Sequence, residues 1–164
     1  MLDRLIKKFI NLNGRLSKYV LFKMKVAKLF KASDSYEAYK KALEAKYHSK
    51  CEDKIYKLKE PIREELRKAH YYIPYRIVNG LKEYKIDINY YDKKNVLKIY
   101  TNKYYLEASY LYHDFNIEEL NKFLNNERIS KVIINPEGCN AVMSKTALEG
   151  NIAIIINKNK LKLE

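Results

Sequence analysis

Between Leu2 and Ala32 apolar side chains return every three or four residues: Leu2, Leu5, Ile6 and Phe9, then Leu16, Tyr19, Val20, Val26, Leu29 and Phe30. That spacing lines them up on one face of a helix. The same stretch carries nine Lys/Arg and a single acid, Asp3, for a local charge of +8. A chain that begins this way needs a helix whose apolar face is covered and whose other face is crowded with cations. Such a helix serves one of three ends: an anionic polymer, a membrane surface, or a soluble core with a solvated outer face. Asn13-Gly14 interrupts the pattern. Gly costs about 1 kcal/mol relative to Ala inside a helix, so a kink or a split is expected there.

The charge is unevenly distributed. Residues 1–82 hold 21 basic and 9 acidic side chains, a net of +12, whereas residues 83–164 hold 12 and 11, a net of +1. The asymmetry suggests a basic helical region, 1–72, joined to an almost neutral mixed β-sheet region with one short helix, 73–164, in one compact unit. With 47% apolar residues the chain can build a packed core. A lysine-rich composition without Gln or Trp is in the style of thermophiles or their viruses. Two cysteines, Cys51 and Cys139, make no disulfide framework, and no apolar run reaches the roughly 18 residues that span a bilayer. With no signal-peptide pattern either, a cytoplasmic protein is expected.

Further along, Asp34 with Glu37 forms a capping-box spacing, which predicts a second helix through Tyr36, Tyr39, Leu43, Tyr47 and Ile55 to about Leu58. Pro61 fits the first turn of a third helix, from Ile62 to about Tyr71, and Pro74 forces an exit. Asn79-Gly80 marks a turn. From Tyr84 the period becomes two, with Tyr84, Ile86, Ile88 and Tyr90 alternating with polar positions. Segments 96–100 and 104–112 complete an expected three-strand antiparallel meander. Asn116 with Glu119 opens a short helix, Lys131–Ile134 is a strand, 137–150 reads as loop, and Ile152–Ile156 reads as a central strand. The expected fold class is α+β, in the order α-α-α-β-β-β-α-β-β.

The strongest functional signal is cation interleaved with tyrosine. Eleven of sixteen tyrosines fall between Tyr71 and Tyr112, where rings on a strand face can stack bases while ammonium groups meet phosphates. Phosphate binding needs several cations on one face. Arg4, Lys7, Lys8, Arg15, Lys18, Lys23, Lys25 and Lys28 are the candidates. The expected partner is DNA or RNA. Docking into a partner protein's groove, homo-oligomerisation through the N-terminal helices, and a membrane surface are the alternatives for the same helix.

The order α-β-β-β-α-β also resembles the core of the PD-(D/E)xK nucleases over roughly residues 61–134. That resemblance implies carboxylates holding Mg²⁺, here Asp87, Asp92 and Glu107. The residue two after Glu107 is Ser109, where that family has Lys. The double-stranded RNA-binding domain is similar in its α-β-β-β-α order, but its last helix starts basic and this one opens with Glu118-Glu119. His48 and Cys51 share a helix face, and His70, His113 and Cys139 are further zinc-ligand types, but the paired ligand spacings are missing. No metal site and no cofactor are therefore expected, Mg²⁺ excepted if the nuclease alternative holds. Whether any reaction is catalysed stays open at this level.

Overall fold

The computed structural model describes residues 1–29, 49–108, 111–151 and 155–164, and of residues 17–29 and 49–50 the backbone alone. Helix α1 runs from Leu2 to Leu29 and α2 from Ser49 to Lys68. Leu2, Ile6, Phe9 and Leu12 are buried, and so are Ile55, Leu58, Ile62 and Leu66. These two stripes form one face of an antiparallel helical hairpin, with the start of α1 beside the end of α2. Each fully buried side chain of this kind contributes about 1.5–3 kcal/mol.

That gain explains two departures from the sequence expectation. Asn13-Gly14 does not split α1, because Leu12 is buried and Leu16 packs on the core, holding the turn between them. Pro61 lies inside α2 and does not start a third helix at Ile62. An interior proline costs about 3 kcal/mol, but the buried stripe continues across it from Leu58 to Ile62 and outweighs the loss. The expected start of a helix at Asp34 lies outside the described residues.

The strands are β1 (Tyr71–Val78), β2 (Leu81–Glu83), β3 (Ile86–Ile88), β4 (Asn95–Ile99), β5 (Leu111–Phe115), β6 (Lys131–Ile134), β7 (Ala141–Ser144) and β8 (Ile156–Asn157). Helix α3 (Ile117–Asn126) lies between β5 and β6, and a one-turn α4 (Lys145–Leu148) follows β7. One sheet has the order β2-β1-β5 and the other β3-β4-β6-β7-β8. All pairings are antiparallel except β4 with β6. The fold is α+β with mixed sheets, as expected in class, but its element order differs.

Pro74 does not end the structure; it sits inside β1 opposite Tyr112 of β5. Tyr72 and Tyr100 exchange both backbone hydrogen bonds, at 2.7 and 3.0 Å, on the side of β1 away from β5. By alternation the nitrogen of Pro74 points to that same side. Among the described residues no strand pairs there: β4 has already left, and β2 begins opposite Arg76. The proline therefore costs no ladder bond, which is the condition for tolerating it in a strand. The turn at Asn79-Gly80 forms, with φ of 50° and 78°, as a two-residue hairpin of this hand requires.

The first arm of the expected meander forms, β3 pairing antiparallel with β4, but the third strand does not join it. Asn102 accepts a hydrogen bond from the Tyr104 amide and starts a 3-10 turn, so the chain leaves β4 and returns as β5 against β1. Of the 137–150 stretch, 137–140 and 149–150 are turn or loop as expected, but 141–148 form β7 and α4. Ala141, Val142 and Met143 are all buried, so β7 shows no polar alternation to reveal it. β8 is an edge strand against β7, not a central one, and residues 152–154 of the expected strand lie outside the described residues. A buried cluster unites α1, α2, α3 and one face of both sheets. A smaller one, Val96, Ile133 and Val142, is covered by Ile156, Leu161 and Leu163.

Candidate nucleic-acid interface

Burial of the apolar stripe leaves Arg4, Lys7, Lys8 and Arg15 exposed. On a helix of 3.6 residues per turn, positions 4, 8, 15 and 18 fall on one stripe, with 7 and 25 at its margins. Positions 23 and 28 fall off it. Lys18, Lys23, Lys25 and Lys28 enter by helical position alone. From position 4 to 25 the stripe is about 32 Å long at 1.5 Å per residue, close to one turn of duplex.

The helices differ in how their charges are matched. On α2, Arg63 and Arg67 meet Glu60 at 3.2 and 3.6 Å, and Lys68 meets Glu64 at 3.9 Å. Among the described residues no ion pair involves Arg4, Lys7, Lys8 or Arg15. Part of the reason lies in the sequence: Asp3 is the one acid in the same stretch, residues 2–32, and it is committed elsewhere. Its carboxylate accepts from Asn135 Nδ2 at 2.6 Å and from the Tyr105 hydroxyl at 3.0 Å. Asn135 is buried, donates also to Thr101 Oγ1 at 2.7 Å, and accepts from the Thr101 amide at 2.7 Å. Hydrogen bonding to the Asp3 carboxylate raises the Tyr105 hydroxyl above the usual tyrosine value. Burial, with Asp3 nearby, pushes the Cys139 thiol up to about 12. This network pins the first turn of α1 to the ends of β4 and β6, and so fixes the direction of the cationic stripe.

The described tyrosines fall into three settings. Tyr71 is buried, with its hydroxyl donating to the Leu66 carbonyl at 2.6 Å. Tyr75 and Tyr84 belong to an aromatic cluster with His113, Phe115 and Phe123, in which His113 stacks on Tyr75 at 4.7 Å and on Phe115 at 5.1 Å. These rings are scaffold. Tyr90, Tyr91 and Tyr104 are exposed in turns, while Tyr112 is exposed on a strand, β5, with its ring edge-on to Tyr72 at 5.5 Å. Lys93 lies over the Tyr90 ring at 4.8 Å and Lys162 over Tyr91 at 5.7 Å.

The three candidate carboxylates do not share a site. Asp87 lies on β3 opposite Val96, on the far face from Ile86. Ile86 lines a cleft of about 460 Å³ between the sheets, and Glu107 lines that cleft too. Asp92 stands in the turn after β3 and accepts from Lys131 at 2.8 Å, which holds its carboxyl below the usual aspartate range. Among the described residues no group of three or more His, Cys, Asp and Glu is placed to hold a metal ion, and no helix is long and apolar enough to cross a membrane.

Two features escaped the sequence. Glu83, Lys85 and Lys98 join Glu107 in the inter-sheet cleft, because the chain between β2 and β3 crosses the seam there. The Asp3–Asn135–Thr101 network spans 132 residues of sequence, and its one local sign is Asn135 before Pro136. Asn135 takes φ of 45°, a conformation asparagine tolerates better than most residues. Compared with protein families, with curated proteins and with solved structures, the chain shows no match.

Proposed function

We propose that this protein binds nucleic acid, with α1 laid against the phosphate backbone. The observation that carries the reading is the contrast between the helices. On α2 three cations, Arg63, Arg67 and Lys68, are held by acids of the same helix and Lys54, Lys57 and Lys59 are not, whereas on α1 Arg4, Lys7, Lys8 and Arg15 are all exposed and all unmatched among the described residues. Unmatched cations in a row repel one another, and a line of phosphates relieves that repulsion while releasing condensed counterions. The apolar face of α1 is already occupied over Leu2 to Leu12, which removes the motive for inserting that face into lipid. Phosphate contacts of this kind fix position on the strand and carry no base sequence.

A mobility-shift titration with duplex and single-stranded DNA and RNA tests the reading. Binding is expected at low salt and should weaken steeply as salt rises. Absence of binding to all four, or binding indifferent to salt, overturns it.

A further inference from the structure

A cavity of about 470 Å³ opens at the head of the cationic stripe. Its volume is far above the ~30 Å³ share of one water and falls within the range of small-ligand sites. It lies where the first turn of α1, the last turn of α2 and the ends of two strands meet. Those strands, β4 and β6, are the parallel pair, with Ile99 opposite Ile134. Thr101, Asn102 and Asn135 follow directly and line the cavity. In open sheets, ligands are taken in the crevice beyond the carboxyl ends of parallel strands.

The lining is mixed in a particular way. Arg4 and Lys68 supply cations, and Thr101, Asn102 and Tyr105 supply hydroxyl and amide groups. The Asp3 carboxylate already receives two donors, so its charge is largely answered within the protein. Glu65 remains as an acceptor on the α2 side. Lys68 is held only loosely, 3.9 Å from Glu64 with both side chains mostly exposed. Two cations beside one acceptor carboxylate and several neutral hydrogen-bonding groups suit a ligand that joins a phosphate to a hydroxylated sugar. Arg4 belongs both to this cavity and to the stripe, so a strand following α1 arrives here at its end.

Resting on the nucleic-acid reading above, we infer that the cavity seats the phosphate-bearing terminal nucleotide of a strand. Arg4 and Lys68 hold the phosphate, and Glu65, Thr101 and Asn102 bond the sugar and base.

The test compares one single-stranded sequence in four forms: 5′-phosphorylated, 3′-phosphorylated, with hydroxyls at both ends, and circularised. One of the two phosphorylated strands is expected to bind about tenfold tighter than the circle, as one charge-assisted contact allows. Lys68→Ala should remove that preference, weakening the phosphorylated strand about tenfold and the circle far less, while Lys68→Arg should retain it. Displacement of the terminal advantage by a nucleoside monophosphate, and not by inorganic phosphate, supports a nucleotide seat. If circle and linear strands bind alike, the cavity proposal fails and the nucleic-acid reading stands. If no strand binds, both fail.

Discussion

Gly138 shows how closely the start of α1 is fitted to the sheet. A Cβ built on it would lie 2.2 Å from Asp3 Oδ2 and 3.1 Å from the Tyr105 hydroxyl. Its requirement is space. Gly138→Ala should therefore push Asp3 away from Asn135, leaving a buried amide without its partner. The expected loss is about 1–3 kcal/mol, read as a lower urea midpoint. His113 makes a second residue-scale prediction. It is flanked by the Tyr75, Phe115 and Phe123 rings, receives or donates a 2.9 Å bond with the Tyr84 hydroxyl, and lies near Lys82. Burial, then Lys82, lowers its pKa from the ordinary 6.5. The unfolded chain thus takes up a proton on this ring before the folded protein does. Stability should be unaffected by His113 above pH 6.5 and should fall as pH drops below it. Comparing urea midpoints at pH 7.5 and about 5.5 checks this. The drop should be smaller in His113→Phe, and an equal drop in both proteins would refute the assignment.

At the scale of elements, α1 gives the cleanest forecast. Gly14 sits in mid-helix, and a Cβ there meets nothing within 4 Å. Gly14→Ala should raise stability by about 1 kcal/mol through a less flexible unfolded chain and a better helix former. A thermal melt at one pH settles the sign. The same helix shows what could be read in advance. Its apolar stripe from Leu2 to Leu16, the capping box at Asn116 and Glu119, strand β6 and the Asn79-Gly80 turn depend on neighbours within a few residues, and all were legible. Continuity of α2 through Pro61 was not, because it rests on burial of Ile62 and Leu66 against α1, some fifty residues earlier. β1 was hidden by Pro74, whose missing amide is harmless only because β4 and β2 leave a gap beside it. β7 was hidden by burial on both faces. In the candidate interface, the exposed cations were readable from α1's periodicity, while the partners of Asp3, Tyr105 and Asn135, and Thr101 behind Asn135, lie a hundred residues away and could not be.

For the whole molecule the question is whether +13 acts as bulk charge or as an arrangement. Bulk charge attracts polyanions from any side, and removing any three cations weakens it alike. A docking line behaves differently, because only cations that displace counterions from phosphates enter the salt dependence. Two triple variants separate the cases at equal net charge. In Arg4→Gln, Lys8→Gln, Arg15→Gln, three exposed positions of one α1 stripe lose their charge. In Lys94→Gln, Lys122→Gln, Lys160→Gln, three exposed positions on scattered elements lose theirs. The α1 variant should lower the slope of log K against log salt on duplex DNA by roughly 2 to 3, and the scattered variant should leave it nearly unchanged. Equal slopes would mean that the front of the chain is merely basic. A slope lost only with the stripe would mean that phosphates are met along the exposed α1 face that Arg4, Lys8 and Arg15 share.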